Sequence, residues 1–404
     1  MKNPQPRLIL ALACASFLGL GVVSAGLGPA LSELAAKSSS SLGEIGGLFS
    51  ALFFGSLVTQ IVTGLLLDRL GPRWLILSGL LIVAVGFFGV ALAAELPLMV
   101  ASAAFAGLGH GTINVVMNVS ISNLFSQKRA STLNLLNVFF GLGAIIAPAI
   151  AGLSLRLVNS SLPAIWFGAG LELVLLPLFF WLFHSPVPSG DHPASQSSSR
   201  NLLRSPALWL LGILLLLYVG SENGAGGWVS TYMQQTTTLT AASAALAASG
   251  FWLAYTAGRM AAAWLGTRWS VRLLLTTSLG IAFMGGLVIF ASTGSAPISI
   301  LGFLLLGFGF GPIYPTMLAV ITDTFSHSSG AAASLAIAMG STGGMLIPWL
   351  QGIILEGSGP RAAALLLPIA TLLMLVCLMA TRRARRREAA GVTLAAGADG
   401  QGNA

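Results

Sequence analysis

The stretch Gly64-Leu-Leu-Leu-Asp68-Arg69-Leu-Gly71-Pro72-Arg73-Trp74 separates two long apolar runs, residues 45–67 and 75–94. Each run is about long enough to cross a ~30 Å hydrocarbon core at ~1.5 Å per helical residue. Asp68, Arg69 and Arg73 crowd around a Gly-Pro pair, which marks a short and sharply punctuated turn. Any loop that stops a membrane span can look like this. The rest of the chain decides what it is.

The chain has 404 residues, 55% of them hydrophobic and 7% charged, with a mean hydropathy of +0.89. Soluble domains carry about 25% charged residues, so this composition is that of an integral membrane protein. A net charge of +8 would point to nucleic acid in a soluble chain. In a membrane chain the placement of basic residues matters more, because it sets orientation. No nucleic-acid partner is expected; the bilayer is. Cys14 and Cys377 both fall inside apolar runs, and neither a disulfide nor metal-ligand spacing is read from them. The first apolar run continues to Leu31, too far for a cleaved signal peptide, and reads as a first membrane helix.

Apolar runs broken by turn residues and charges give twelve spans, at residues 8–31, 45–67, 75–94, 96–120, 131–153, 163–183, 208–232, 243–265, 271–292, 297–320, 330–355 and 361–380. These runs are too long for barrel strands, so the fold class is an all-α membrane protein. With the N-terminus inside, the inner segments hold Lys2, Arg7, Arg69, Arg73, Lys128, Arg129, Arg200, Arg204, Arg268, Arg272, Arg382, Arg383, Arg385, Arg386 and Arg387. The outer loops hold only Lys37, Arg156 and Arg361. That bias predicts both termini in the cytoplasm of a plasma membrane, the inner membrane of a bacterium. The expected organisation is a six-helix bundle over 1–183, a Ser- and Pro-rich linker over 184–205, a second bundle over 206–381 and a basic, disordered tail over 382–404.

The two bundles repeat one another. Gly107-Leu-Gly109-His-Gly111 and Gly307-Phe-Gly309-Phe-Gly311 stand 200 residues apart, as do Gly143 and Gly343, Pro148 and Pro348, and Gly152 and Gly352. At an offset of 195, Leu70-Gly-Pro-Arg73-Trp74 matches Leu265-Gly-Thr-Arg268-Trp269. Several matches at one offset are not chance. The Gly- and Pro-containing stretches 140–148 and 340–348 are expected to pack closely and to bend as the halves move.

Polar residues within apolar spans are costly and mark function. Glu172 and Glu222 are the acidic ones and Arg259 the basic one. An ionised carboxylate there must face a cavity, find a partner or stay protonated. Glu222 sits among glycines in Gly220-Ser-Glu222-Asn-Gly-Ala-Gly226-Gly227-Trp228, where a ligand or water can come close, and is the candidate proton carrier with Arg259 as its partner. Plain interhelical hydrogen bonding, or a snorkelling Arg259, would be the structural alternatives. His110, Asn114 and Asn118 follow at four-residue spacing on one helical face, and Asn134 and Asn137 come close behind on the next span. Amides both donate and accept, which suits a neutral polyhydroxylated solute. Trp228, Trp252, Tyr314 and Gln351 complete the candidate solute-binding set, with Gln60 a further contributor.

The 64–74 stretch resembles the loop between helices 2 and 3 of major facilitator superfamily transporters, whose signature reads G-x-x-x-D-R-x-G-R-R/K. Gly64, Asp68, Arg69, Gly71 and Arg73 match it, while Pro72 replaces the first basic residue of the closing pair. Two parallel six-helix repeats are also what that superfamily possesses. Residues 107–118, 129–148, 218–232 and 309–316 resemble the fucose/glucose permease branch. The resemblance implies sugar uptake by alternating access, coupled to a proton or to sodium, with Asp68 and Arg69 latching the inner gate. The branch commonly bears an acid where this chain has Asn114, so Glu222 would take over coupling or coupling would be absent. The function expected is a symporter of a sugar-like solute, acting as a monomer without cofactor or metal. A drug or metabolite exporter, and a receptor on the same fold, are the alternatives. No catalytic constellation or phosphate-binding loop is present, so no enzyme is expected.

Overall fold

The computed structural model describes residues 6–182, 202–292 and 294–401, so most of the expected linker lies outside the described residues. The fold is all-helical. The helices are α1 (Pro6–Ser38), α2 (Leu42–Thr63), α3 (Arg69–Leu92), α4 (Leu96–Leu124), α5 (Arg129–Val158) and α6 (Pro163–Leu182) in the first half. The second half holds α7 (Pro206–Thr236), α8 (Ala241–Leu265), α9 (Val271–Ala291), α10 (Ala296–Thr324), α11 (Ser329–Gly357) and α12 (Gly359–Gln401). Eleven of these are long and apolar enough to cross a membrane; α8, rich in Ala and carrying Arg259, is not among them.

The punctuated turn of 64–74 proves to be a kink and not a loop. The path Leu42–Leu92 is helical throughout except at Gly71, whose φ of 72° no β-carbon-bearing residue adopts cheaply. Pro72 then starts the next limb, where its missing N–H is no loss. Helix α10 has the opposite fault: it breaks at Gly311-Pro312, between Phe310 and Ile313, because a proline inside a helix removes a donor and collides with the preceding turn. α5 and α11 run unbroken through Pro148 and Pro348. The last helix continues to Gln401, past the Thr381 at which a disordered tail was expected; Arg, Ala and Glu there are good helix formers.

Short connections are fixed by side chains. Ser41 Oγ accepts from Glu44 N at 3.2 Å while Ser41 N donates to Glu44 Oε2 at 2.9 Å, a capping box that starts α2. Lys37 Nζ donates to Ala91 O and Leu92 O at 2.7 and 3.1 Å, satisfying the last carbonyls of α3. Glu33 holds the α5–α6 connection through Ser160 Oγ at 2.7 Å and Ser161 N at 2.5 Å.

The glycine repeats have a common cause. A methyl group on Gly107 or Gly111 would overlap backbone oxygens of α2, and one on Gly109 would press on α3. In the second half, Gly307 and Gly311 stand in the same way against α8, and Gly309 against α9. Gly143 packs on Leu18 O of α1, and Gly343 on Leu216 O of α7. Such close backbone approach is how membrane helices associate without a hydrophobic driving force.

The halves meet along three seams, α2 with α11, α5 with α8 and α1 with α7. Their contacts lie from mid-membrane to the face that carries the α1–α2 turn. Gly43 N donates to Glu356 Oε2 at 2.8 Å, Ser50 Oγ to Met345 O at 2.6 Å, and Ser249 Oγ to Ile145 O at 2.9 Å. At the opposite face, that of the α2–α3 kink, no comparable seam joins α4 or α5 to α10 or α11 among the described residues. The interior therefore opens towards the kinked face.

Candidate functional site

Between the halves lies a central cavity of about 190 Å³. The first half supplies neutral polar groups to its wall: Ser24, Ser56, Gln60, His110, Asn114 and Asn137. The second half supplies Glu222, Asn223, Trp252, Tyr255, Arg259 and Tyr314. Phe17, Phe49, Phe53 and Phe140 fill in the apolar remainder.

The charged groups form one cluster built from two i,i+4 pairs on facing helices, Tyr218 with Glu222 on α7 and Tyr255 with Arg259 on α8. Tyr218 and Tyr255 share a hydroxyl–hydroxyl hydrogen bond at 3.2 Å. Arg259 donates through Nη2 to the Tyr255 hydroxyl, and its guanidinium lies 4.5 Å from the Tyr255 ring centroid. The Glu222 carboxyl faces both tyrosine hydroxyls and the guanidinium. Tyr314 completes the aromatic wall, 6.3 Å from Tyr218 between ring centroids. Arg259 is thus part of this cluster and does not snorkel.

On the other side the groups are amides and hydroxyls. Gln60 Nε2 donates to Ser56 Oγ at 3.0 Å, and its Oε1 accepts from Ser341 Oγ across the halves at 3.3 Å. His110 Nε2 lies 3.4 Å from Ser24 Oγ, while its Nδ1 has no protein partner. Asn137 Nδ2 donates to Leu133 O at 2.9 Å. Trp252 Nε1 and Arg259 Nε are likewise buried with no hydrogen-bond partner. Buried polar atoms are nearly always paired, so unpaired ones on a cavity wall are available to a solute.

His110, Asn114, Asn137, Glu222, Trp252, Arg259 and Tyr314 are brought together; four other expected solute contacts are not. Asn118 lies one turn beyond Asn114 and braces it, Nδ2 donating to Asn114 O at 2.8 Å. Asn134 is exposed, near the start of α5. Trp228 belongs to the closed seam: its indole packs against Gly46 and Gly352, and Nε1 donates to Pro348 O at 2.8 Å. Gln351 is buried there too, pressed against Gly224. Both point away from the cavity because its floor lies nearer the middle of α7 and α11 than their positions allow. Ser24, Ser56, Asn223 and Ser341 were missed, since lone hydroxyls and amides in apolar helices carry little sign in sequence.

Of the gating set, Gly71 makes the kink, Arg69 is exposed, and Arg73 is held between the rings of Trp74 and Phe180 at 5.2 and 4.8 Å. The side chains of Gly64 and Asp68 lie outside the described residues. Glu172 is fully buried on α6 against Gly19 of α1, away from the cavity.

The family model described as Major Facilitator Superfamily matches residues 9–237 and 213–398. The chain is 24% identical over 386 residues to the sodium-dependent glucose transporter 1 of Danio rerio, covering 86% of this chain and 65% of that relative's length. In fold it resembles the nucleoside transporter NupG, with a TM-score of 0.76 at 15% identity over 93% of this chain and 99% of that one. It also resembles a variant of the E. coli fucose:proton symporter FucP, with a TM-score of 0.65 at 19% identity over 93% and 98% of the two chains. With its paired six-helix repeats, central cavity and whole-length match, the chain belongs to the Major Facilitator Superfamily of membrane transporters.

Proposed function

We propose that the protein moves a small, neutral, polyhydroxylated solute, a monosaccharide above others, by alternating access coupled to a cation. The observation that carries this reading is the division of the cavity wall. Uncharged amides and hydroxyls line one side, and an acid–base cluster with an unpaired indole N–H lines the other. Asn114, Asn137 and Gln60 offer donors and acceptors to hydroxyl groups, and Trp252 and Tyr314 offer faces to a sugar ring. His110 is the one titratable side chain on the first-half wall; the other polar groups there are neutral amides and hydroxyls. A cavity of about 190 Å³ suits one small molecule and a few waters.

Glu222 is the proposed proton carrier. Protonated, it leaves the Arg259 charge to the tyrosine hydroxyls; ionised, it pairs with the guanidinium through the same cluster. Only the ionised state compensates the guanidinium's charge; in the protonated state the tyrosine hydroxyls hydrogen-bond the cation but do not neutralise it. Orientation follows from the basic residues concentrated at the kinked face, so the cavity in this conformation faces the cytoplasm. Asp68 and Arg69 are the proposed latch of that face in the opposite conformation.

The test has two stages. A thermal-shift screen of the purified protein against monosaccharides, nucleosides, amino acids and hydrophobic cations identifies the solute, since a ligand selective for the folded state raises its melting point. Proteoliposome uptake is then driven by an imposed pH gradient or by a sodium gradient. Stabilisation by a group of sugars and uptake on the pH gradient are expected, with Glu222→Gln losing driven uptake but keeping exchange. Stabilisation only by hydrophobic cations would replace the reading with an exporter, and uptake only on sodium would replace the coupling ion.

A further inference from the structure

The internal repeat supplies its own control for a second binding site. In the first half Arg73 is engaged by protein: its guanidinium lies against the Trp74 and Phe180 rings and Nη2 donates to Phe180 O at 3.2 Å, while its buried Nε has no hydrogen-bond partner among the described residues. Phe180 lies on α6, near the end of its described residues. The equivalent residue of the second half is Arg268. Its guanidinium rests on the Trp264 ring at 4.3 Å, is exposed, and has no hydrogen bond or carboxylate partner among the described residues.

Arg272, in the first turn of α9 and four residues on, is exposed and has no partner among the described residues. A groove of about 630 Å³ lies between α8, α9 and α10, and its lining residues Leu265, Trp269 and Leu274 bracket the two cations along the chain. Its wall is apolar, with Ala261, Leu265, Trp269, Ile281, Met284 and Phe308. Met284 is 54% exposed, so the groove opens sideways, to where lipid lies. We propose that this groove binds an anionic phospholipid, its acyl chain along α8–α10 and its phosphate between Arg268 and Arg272. Charge selects the occupant: two unpaired guanidiniums on the α8–α9 turn, which borders an apolar slot, match a molecule that joins a phosphate to hydrocarbon. A soluble phosphate would leave the groove unused, and a zwitterionic lipid would bring a cation against two arginines.

Native mass spectrometry of the full chain tests this directly. The protein is titrated with dioleoylphosphatidylglycerol, dioleoylphosphatidylcholine and glycerol 3-phosphate. Phosphatidylglycerol adducts should appear at about tenfold lower concentration than phosphatidylcholine adducts. The preference should vanish in R268Q/R272Q and persist in K128Q, an exposed cation at the same face of the other half. Ala261→Phe, which narrows the groove, should weaken both lipids together. Equal retention of the two lipids, or a preference that survives R268Q/R272Q, overturns the proposal. Retention of glycerol 3-phosphate as strong as that of the lipid overturns it in favour of a soluble-phosphate site.

Discussion

The backbone N–H of Gly43, in the first turn of α2, donates a 2.8 Å hydrogen bond to Glu356 Oε2, which belongs to the other half of the protein. A carboxylate at a helix N-terminus satisfies an orphan donor and meets the positive end of the helix dipole. Here it also joins the halves at the closed face. Glu356→Ala should favour the opposite conformation by about 1 kcal/mol, roughly a fivefold change in population. Spin-label distances across the α1–α2 and α11–α12 turns would report it. Glu356→Gln, which keeps an acceptor, should shift the populations less; equal shifts in both variants would assign the effect to charge alone.

Trp228 is the second closure of that face. Trp228→Ala should let a membrane-impermeant maleimide reach a cysteine placed at Ser50, in a background without Cys14 and Cys377. Trp228→Phe loses the bond to Pro348 O but keeps a ring between Gly46 and Gly352. It should leave the cysteine protected, and unchanged labelling in Trp228→Ala would remove Trp228 from the gate.

Arg259 donates to one tyrosine hydroxyl while stacking on the same ring, a geometry that a planar guanidinium achieves and an ammonium does not. Arg259→Ala should lower the uptake rate on the order of 10²-fold, because it leaves Glu222 uncompensated, and Arg259→Lys should lose most of the same transport, because its ammonium keeps the charge but not the combined donation and stacking. Near-normal uptake by the lysine variant would show that only charge is needed.

Gly143 and Gly343 should respond alike to substitution. In each, an added methyl group meets a carbonyl oxygen of the first helix of its own half. Gly143→Ala and Gly343→Ala should each cost about 1–3 kcal/mol, seen as a lower melting point in detergent. Gly280, with nothing within 4 Å of an added methyl, is the control and should tolerate alanine.

Much of the fold is written in the chain, and the repeats show why. The spacing of Gly107, Gly109 and Gly111, and of their partners 200 residues on, encodes which two helices each must touch. Apolar run length located all twelve helices, though α1, α3 and α12 extend beyond the expected spans, α12 as far as Gln401. The kink at Gly71 and the break at Pro312 were less legible, because Gly-Pro reads as a loop, and prolines at 148 and 348 read as bends, until tertiary packing decides between them. The candidate site was half legible. A carboxylate or an arginine in an apolar helix announces itself, as Glu222 and Arg259 do. Trp228 and Gln351 were misplaced because residue type does not reveal depth along a helix, and the serines of the wall were lost among many others.

The two halves share their packing glycines but not their chemistry. Most of the wall's amides and hydroxyls sit on α1, α2, α4 and α5, joined by Asn223 and Ser341 of the second half, while Glu222, Arg259 and their tyrosines sit on α7 and α8. Under the proposed mechanism, selectivity and energy input then have separate addresses on the chain. Substitutions at Asn114 and Asn137 could redirect the carrier to another cargo while its drive is left intact, and exchange of α7–α8 residues could change the driving gradient without changing the cargo.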